Sequence, residues 1–84
     1  MKVRIRVYEQ DSGKPADLRE KPEYGFSEER SDHPSEIKVL AKATLVESLG
    51  QDWRVHSFSL LAVNPPEIRA IIRRRTDLPP AARR

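Results

Sequence analysis

The 84-residue chain has no cysteine. That excludes disulfides, thiolate metal sites and cysteine nucleophiles, and it makes a reducing compartment the simpler setting, so a cytoplasmic location is expected. Glycine is scarce: Gly13, Gly25 and Gly50 are too dispersed to build a phosphate-cradling loop, and nucleotide cofactors have no support. Aromatic residues are limited to Tyr8, Tyr24, Phe26, Trp53 and Phe58, few for a protein that reads single-stranded nucleic acid by stacking. Long apolar runs are also missing. Nothing approaches the ~20 residues of a membrane span, and residues 1–8 alternate charged and apolar side chains where a signal peptide would have an apolar run. A soluble chain without membrane association is the expectation.

Catalytic chemistry is equally thin. The two histidines, His33 and His56, have no partners at the local spacing a cysteine-free zinc site requires. Ser57 follows His56 directly, but neighbours on a strand point to opposite faces, and no nucleophile-elbow motif surrounds either residue. The paired carboxylates Glu28 and Glu29 lie in a polar stretch with little to desolvate them. No catalytic residue, metal or cofactor is assigned, and a non-enzymatic protein is expected.

What the chain does have is charge in blocks. Net charge is +3, with sixteen Lys and Arg against thirteen Asp and Glu. Residues 9–36 hold nine of those acids and four bases, whereas residues 1–8 carry +3 and residues 37–84 carry +5. An acidic segment therefore sits between two basic ones and can screen them. A chain this short buries only about 60% of the surface its unfolded form exposes, so one core, supported by a partner or by homo-oligomerisation, is expected.

Hydrophobic periodicity places the elements. In residues 2–9, Val3, Ile5 and Val7 alternate with Lys2, Arg4 and Arg6, which predicts a half-buried strand. Residues 10–35 are almost wholly polar, open with a turn at Asp11-Ser12-Gly13-Lys14-Pro15, and read as a long acidic loop that is functional, partly disordered, or hides a short element near Tyr24-Gly25-Phe26. Residues 37–72 contain nineteen apolar side chains in thirty-six and must supply most of the core. Residues 37–49 have helical propensity and a stop at Gly50, yet Ile37, Val39, Leu40, Leu45, Val46 and Leu49 scatter around a helical wheel. Period two puts Ile37, Val39, Ala41, Ala43 and Leu45 on one face, and a strand is preferred there over a helix. Trp53 to Val63 predicts the second strand of a hairpin whose turn Val46 and Trp53 flank. Asn64-Pro65-Pro66-Glu67 reads as a helix start, with Ile68, Ile71 and Ile72 facing a sheet and the helix ending near Arg75. Residues 76–84 read as a frayed basic tail. The expectation is one α+β domain over residues 1–75: about three antiparallel strands with a C-terminal helix on one face.

Cations supply the candidate site. Period two sets Lys2, Arg4 and Arg6 about 7 Å apart in one row, a spacing that suits successive phosphates. Arg54, Arg69, Arg73, Arg74 and Arg75 form a second basic region whose forked guanidiniums suit phosphate or carboxylate. Edge protection and helix-dipole complementation explain the same positions. Tyr24, Phe26 and Trp53 are the candidate interface anchors. Two functions follow. One is a protein-binding regulator, inhibitor or accessory subunit, of the kind phages and mobile elements carry, docking on a larger protein through its charge blocks. The other is a nucleic-acid-binding module that holds phosphates on the two basic regions. Protein binding is preferred, because every argument for nucleic acid is an argument about charge alone.

Overall fold

A computed structural model describes residues 1–11, 13–61 and 63–75. The first expected strand is present as β1 (Val3–Asp11). A turn in which the Gly13 N–H donates to Asp11 Oδ1 at 2.8 Å returns the chain as β2 (Lys14–Glu20), antiparallel to β1. A single 3-10 turn (Pro22–Tyr24) leads into β3 (Phe26–Glu28), which pairs with the opposite end of β1. The helix α1 (Pro34–Leu49) follows, then a 3-10 turn (Gly50–Asp52), β4 (Trp53–Leu61) and β5 (Glu67–Arg74). β5 is parallel to β1 and antiparallel to β4. The fold is α+β: a five-stranded mixed sheet in the order β2-β1-β5-β4, with β3 sharing the β2 edge of β1.

Four expectations are corrected. Residues 10–35 are not a long loop. β2 has no buried side chain among its described positions, so it is a polar edge strand that apolar alternation cannot reveal, although the expected turn at Asp11 and the short elements around Tyr24–Phe26 are present. Residues 37–49 form a helix, not a strand, and the Val46–Trp53 hairpin does not exist. The wheel scattered because the helix carries two apolar stripes. Ile37, Ala41, Leu45 and Leu49, four apart, are buried on the sheet, whereas Val39 and Val46 stay 69% and 51% exposed on the outside. Gly50 does end the helix, at φ 71°, a left-handed conformation that favours glycine, with its N–H donating to the Val46 carbonyl.

The third correction concerns the C-terminal helix, whose place is taken by β5, so the one long helix lies mid-chain. Ile68, Ile71 and Ile72 fit a helical stripe, but Ile68, Ala70 and Ile72 also alternate with Glu67, Arg69, Ile71 and Arg73. The branched isoleucines and a central position between β1 and β4 decide for the strand. Asn64, Pro65 and Pro66 belong to the turn between β4 and β5 and cap no helix. Fourth, the sheet is mixed and five-stranded, not antiparallel and three-stranded, because β1 and β5 run in the same direction. The basic tail expected at residues 76–84 lies outside the described residues.

The core lies between the sheet and α1. Val3, Ile5 and Val7 of β1 and Ile68, Ala70 and Ile72 of β5 meet Ile37, Ala41, Leu45 and Leu49, with Trp53 closing one end. Glu28 is the buried charge at its margin, 4% exposed. Its carboxylate accepts from the backbone N–H of Arg30 at 3.0 Å and from Arg30 Nε and Nη2 at 2.9 and 2.6 Å. Arg30 Nη2 also donates to Thr44 Oγ1 at 3.0 Å, which ties β3 to α1. The hydrogen bonds from Arg30 outweigh burial and pull the Glu28 carboxyl down to about 2.

Two outcomes follow. Leu45→Ala, which empties a fully buried position, lowers unfolding free energy by about 2–5 kcal/mol in urea denaturation. Because the folded state holds Glu28 below its unfolded value, its contribution is complete above pH ~4.5 and is lost as pH falls toward 2. Acid titration of stability is therefore flatter in Glu28→Gln than in the parent across that window. Parallel curves would show that the Arg30 contacts contribute nothing.

Candidate functional site: the open face of the sheet

Since α1 covers one face of the sheet, alternation sends every second side chain of β1, β5 and β4 to the other. The β1–β5 register makes the list definite. Arg4 lies beside Glu67, Arg6 beside Arg69, and Tyr8 beside Ile71. From β4, Arg54 lies beside Arg73, and Ser57, Ser59 and Leu61 beside Ile71, Arg69 and Glu67, with His56 the extra residue of a bulge. None of these side chains is buried, as expected of a face without a cover among the described residues.

Most of the cations singled out in the sequence converge here. Arg4, Arg6, Arg54, Arg69 and Arg73 share the open face, and Lys2 continues the row just before β1. Arg74 does not. It points to the helix side, 3.5 Å from Glu9 and with its guanidinium 4.6 Å from the Trp53 ring centre. Arg75 follows the end of β5 and is exposed. The aromatic candidates are placed differently from the open face. Trp53 is buried in the core and meets Tyr24 edge-on at 6.2 Å. Phe26 packs partly against the core and also lines a cleft.

That cleft marks one end of the face, where β2 and β3 part along the edge of β1. Its volume is about 540 Å³, within the 300–1,000 Å³ of ordinary ligand pockets, and Lys2, Arg4, Arg6, Phe26, Pro65 and Pro66 are among its walls. The middle of the face is more balanced. Arg6 donates to both carboxylate oxygens of Glu20 at 3.2 and 2.7 Å and lies 3.7 Å from Glu67, which is itself 3.9 Å from Arg69. The hydrogen bonding holds Glu20 below the usual carboxylate range and raises Arg6 further above its ordinary value. Between these charges sits Tyr8, half-buried, with the Arg6 and Arg69 guanidiniums 5.8 and 5.6 Å from its ring centre. At the other end Gln10 Oε1 accepts from Arg73 Nε and Nη2 at 2.9 and 2.6 Å. Neighbouring Arg54 has its Nε buried without a hydrogen-bond partner.

Sequence reasoning missed Tyr8, Gln10, Glu20, Glu67 and Ile71. The first two were within reach, since counting in twos from Arg4 and Arg6 arrives at Tyr8 and Gln10. The others depend on which strands neighbour β1, a non-local fact. Comparison with known protein families, characterised proteins and solved structures finds no match for the chain.

One expected outcome is independent of any ligand. Like charges directly opposite across two strands destabilise a sheet, and a buried donor without a partner adds to the penalty. Arg54→Leu removes both and raises stability by about 1 kcal/mol, measured as a higher thermal midpoint. A lowered midpoint would mean that the Arg54 guanidinium is structurally required.

Proposed function

We propose that this chain is a non-enzymatic docking module whose open sheet face receives an acidic segment of a protein partner. The observation that carries the reading is Tyr8. An aromatic ring flanked by two arginines and Ile71, half-buried on a sheet face that no described element covers, has the composition of an interface centre, where Tyr and Arg are enriched. Around it the face carries Arg4, Arg6, Arg54, Arg69 and Arg73 against Glu20 and Glu67, so its field attracts an acidic surface and steers its approach. From Arg4 to Gln10 the face is about 20 Å long, enough for some six residues of extended chain.

Phosphate binding explains fewer of these features. The evenly spaced row that favoured it is interrupted, because Arg6 is engaged by Glu20 and Arg69 lies near Glu67. Carboxylates inside the row repel a phosphate backbone, and Tyr8 is a single stacking platform where single-strand readers use several.

The test titrates isotope-labelled protein with a short peptide bearing glutamates at both ends and leucine in the middle, and separately with an oligothymidylate, at ~0.15 M salt. The peptide is expected to move the amide signals of β1 and β5, and Tyr8→Ala to weaken it by about tenfold or more. Tighter, steeply salt-dependent binding of the oligonucleotide through the same amides would replace this reading with phosphate binding.

A further inference from the structure

We infer that Arg54 and Arg73 form a receptor for a single carboxylate, the point at which an acidic side chain or chain terminus of the partner is fixed. The inference deepens the docking reading and rests on it for the source of the carboxylate. Three observations converge on the pair. Arg54 and Arg73 are direct cross-strand neighbours, so two positive side chains leave the same face of the sheet from adjacent backbone positions. No acid among the described residues pairs with either one: Glu67 is at the far end of β5, Glu9 is taken up by Lys21 and Arg74, and Asp11 accepts from Gly13. Finally, Arg54 Nε is buried without an acceptor, so an anion meets that guanidinium at its outer nitrogens.

Gln10 adds the orientation. Its amide oxygen takes both Nε and Nη2 of Arg73, which fixes the plane of that guanidinium and leaves Nη1 outside the contact. An acidic residue in place of Gln10 would hold Arg73 just as well and also cancel its charge. The neutral amide positions the group and leaves the charge available. A planar anion with two oxygens matches this arrangement, with one oxygen on the outer nitrogens of the Arg54 guanidinium and the other on Arg73 Nη1. A carboxylate fits better than a phosphate, because its single charge is repelled less by Glu20 and Glu67 on the same face. Once bound, the anion relieves the repulsion between the arginines, so an unfavourable feature of the free protein becomes binding energy.

The experiment follows the side-chain Nε–H signals of the arginines while the protein is titrated with acetate, glutarate or inorganic phosphate at constant ionic strength set with chloride. Acetate and glutarate are expected to shift the Arg54 Nε–H signal saturably, with no matching change at exposed Arg19. Arg73→Gln and Arg54→Gln, each first shown to keep the parent's amide spectrum, are expected to weaken carboxylate binding by about tenfold or more. Equal movement of Arg54 and Arg19 would overturn the site. A phosphate shift that saturates at lower concentration than the carboxylates would overturn the choice of carboxylate. These probes are small and do not touch Tyr8, so a failed receptor is distinguishable from a failed docking face: the glutamate-ended peptide would still bind in a Tyr8-dependent way while acetate left Arg54 unmoved.

Discussion

The parallel pairing of β1 with β5 is the constraint on which both sides of the sheet depend. One register, Ile5 beside Ile68 and Val7 beside Ala70, places the isoleucines and valines of the two central strands under α1. Because side chains alternate, that register also places Arg6 beside Arg69 and Tyr8 beside Ile71 on the opposite face. Core and candidate site are therefore fixed together. A slip of one residue would put arginines beneath the helix and isoleucines in solvent, a difference large enough to make the pairing unambiguous. The strands so joined come from opposite ends of the described chain, which means the contact closes last in sequence and organises everything between them.

The helix has a more ambiguous relation to the sheet. Its inner stripe, Ile37, Ala41, Leu45 and Leu49, recurs every four residues and fills the core. Its outer stripe, Val39 and Val46 with Ala43 between them, is apolar and exposed. Two stripes cancel in any measure of amphipathicity, so the helix looks uniformly apolar by periodicity although it packs on one side only. Propensity and the glycine stop were the better guides here, because both report on the backbone and neither depends on which face is buried.

The same division runs through the rest of the chain. β1 and β4 were legible, since both combine branched or aromatic residues with a clear start, and the α+β class holds although the helix it rested on is β5 and the real one is α1. β2 was hidden because it buries no described side chain: its pairing to β1 is made by backbone groups, which leave no trace in hydrophobic pattern. β5 was misread because Ile68 and Ile72 fit both periods, Ile71 completing a helical stripe and Ala70 a strand face, and only a neighbour on each side selects between them. The cations of the site were found as residue types and placed on the wrong scaffold. Arg69 and Arg73 were given to a helix face, yet they reach the same surface as Arg4 and Arg6 because a strand presents them by alternation just as β1 does. Glu20 and Glu67, which decide how much of that positive charge is available, lay beyond reach, since their positions follow from strand order.

Strand order also gives the acidic segment its purpose. Residues 9–36 fold back along the edge of a basic strand, and their carboxylates land on particular cations: Glu20 on Arg6, Glu9 near Lys21 and Arg74, Glu28 on Arg30. Screening is thus local and uneven. The centre of the open face is nearly balanced by Glu20 and by Glu67, which reaches toward Arg6 and Arg69 from its place beside Arg4, while Lys2 and Arg4 at one end and Arg54 and Arg73 at the other form no ion pair among the described residues. A face with positive ends and an aromatic, balanced middle discriminates by spacing as well as by sign. On the docking role we propose, it favours a partner segment with carboxylates about 20 Å apart and an apolar group between them, and disfavours a uniformly charged polyanion, which would bring negative charge against Glu20 and Glu67.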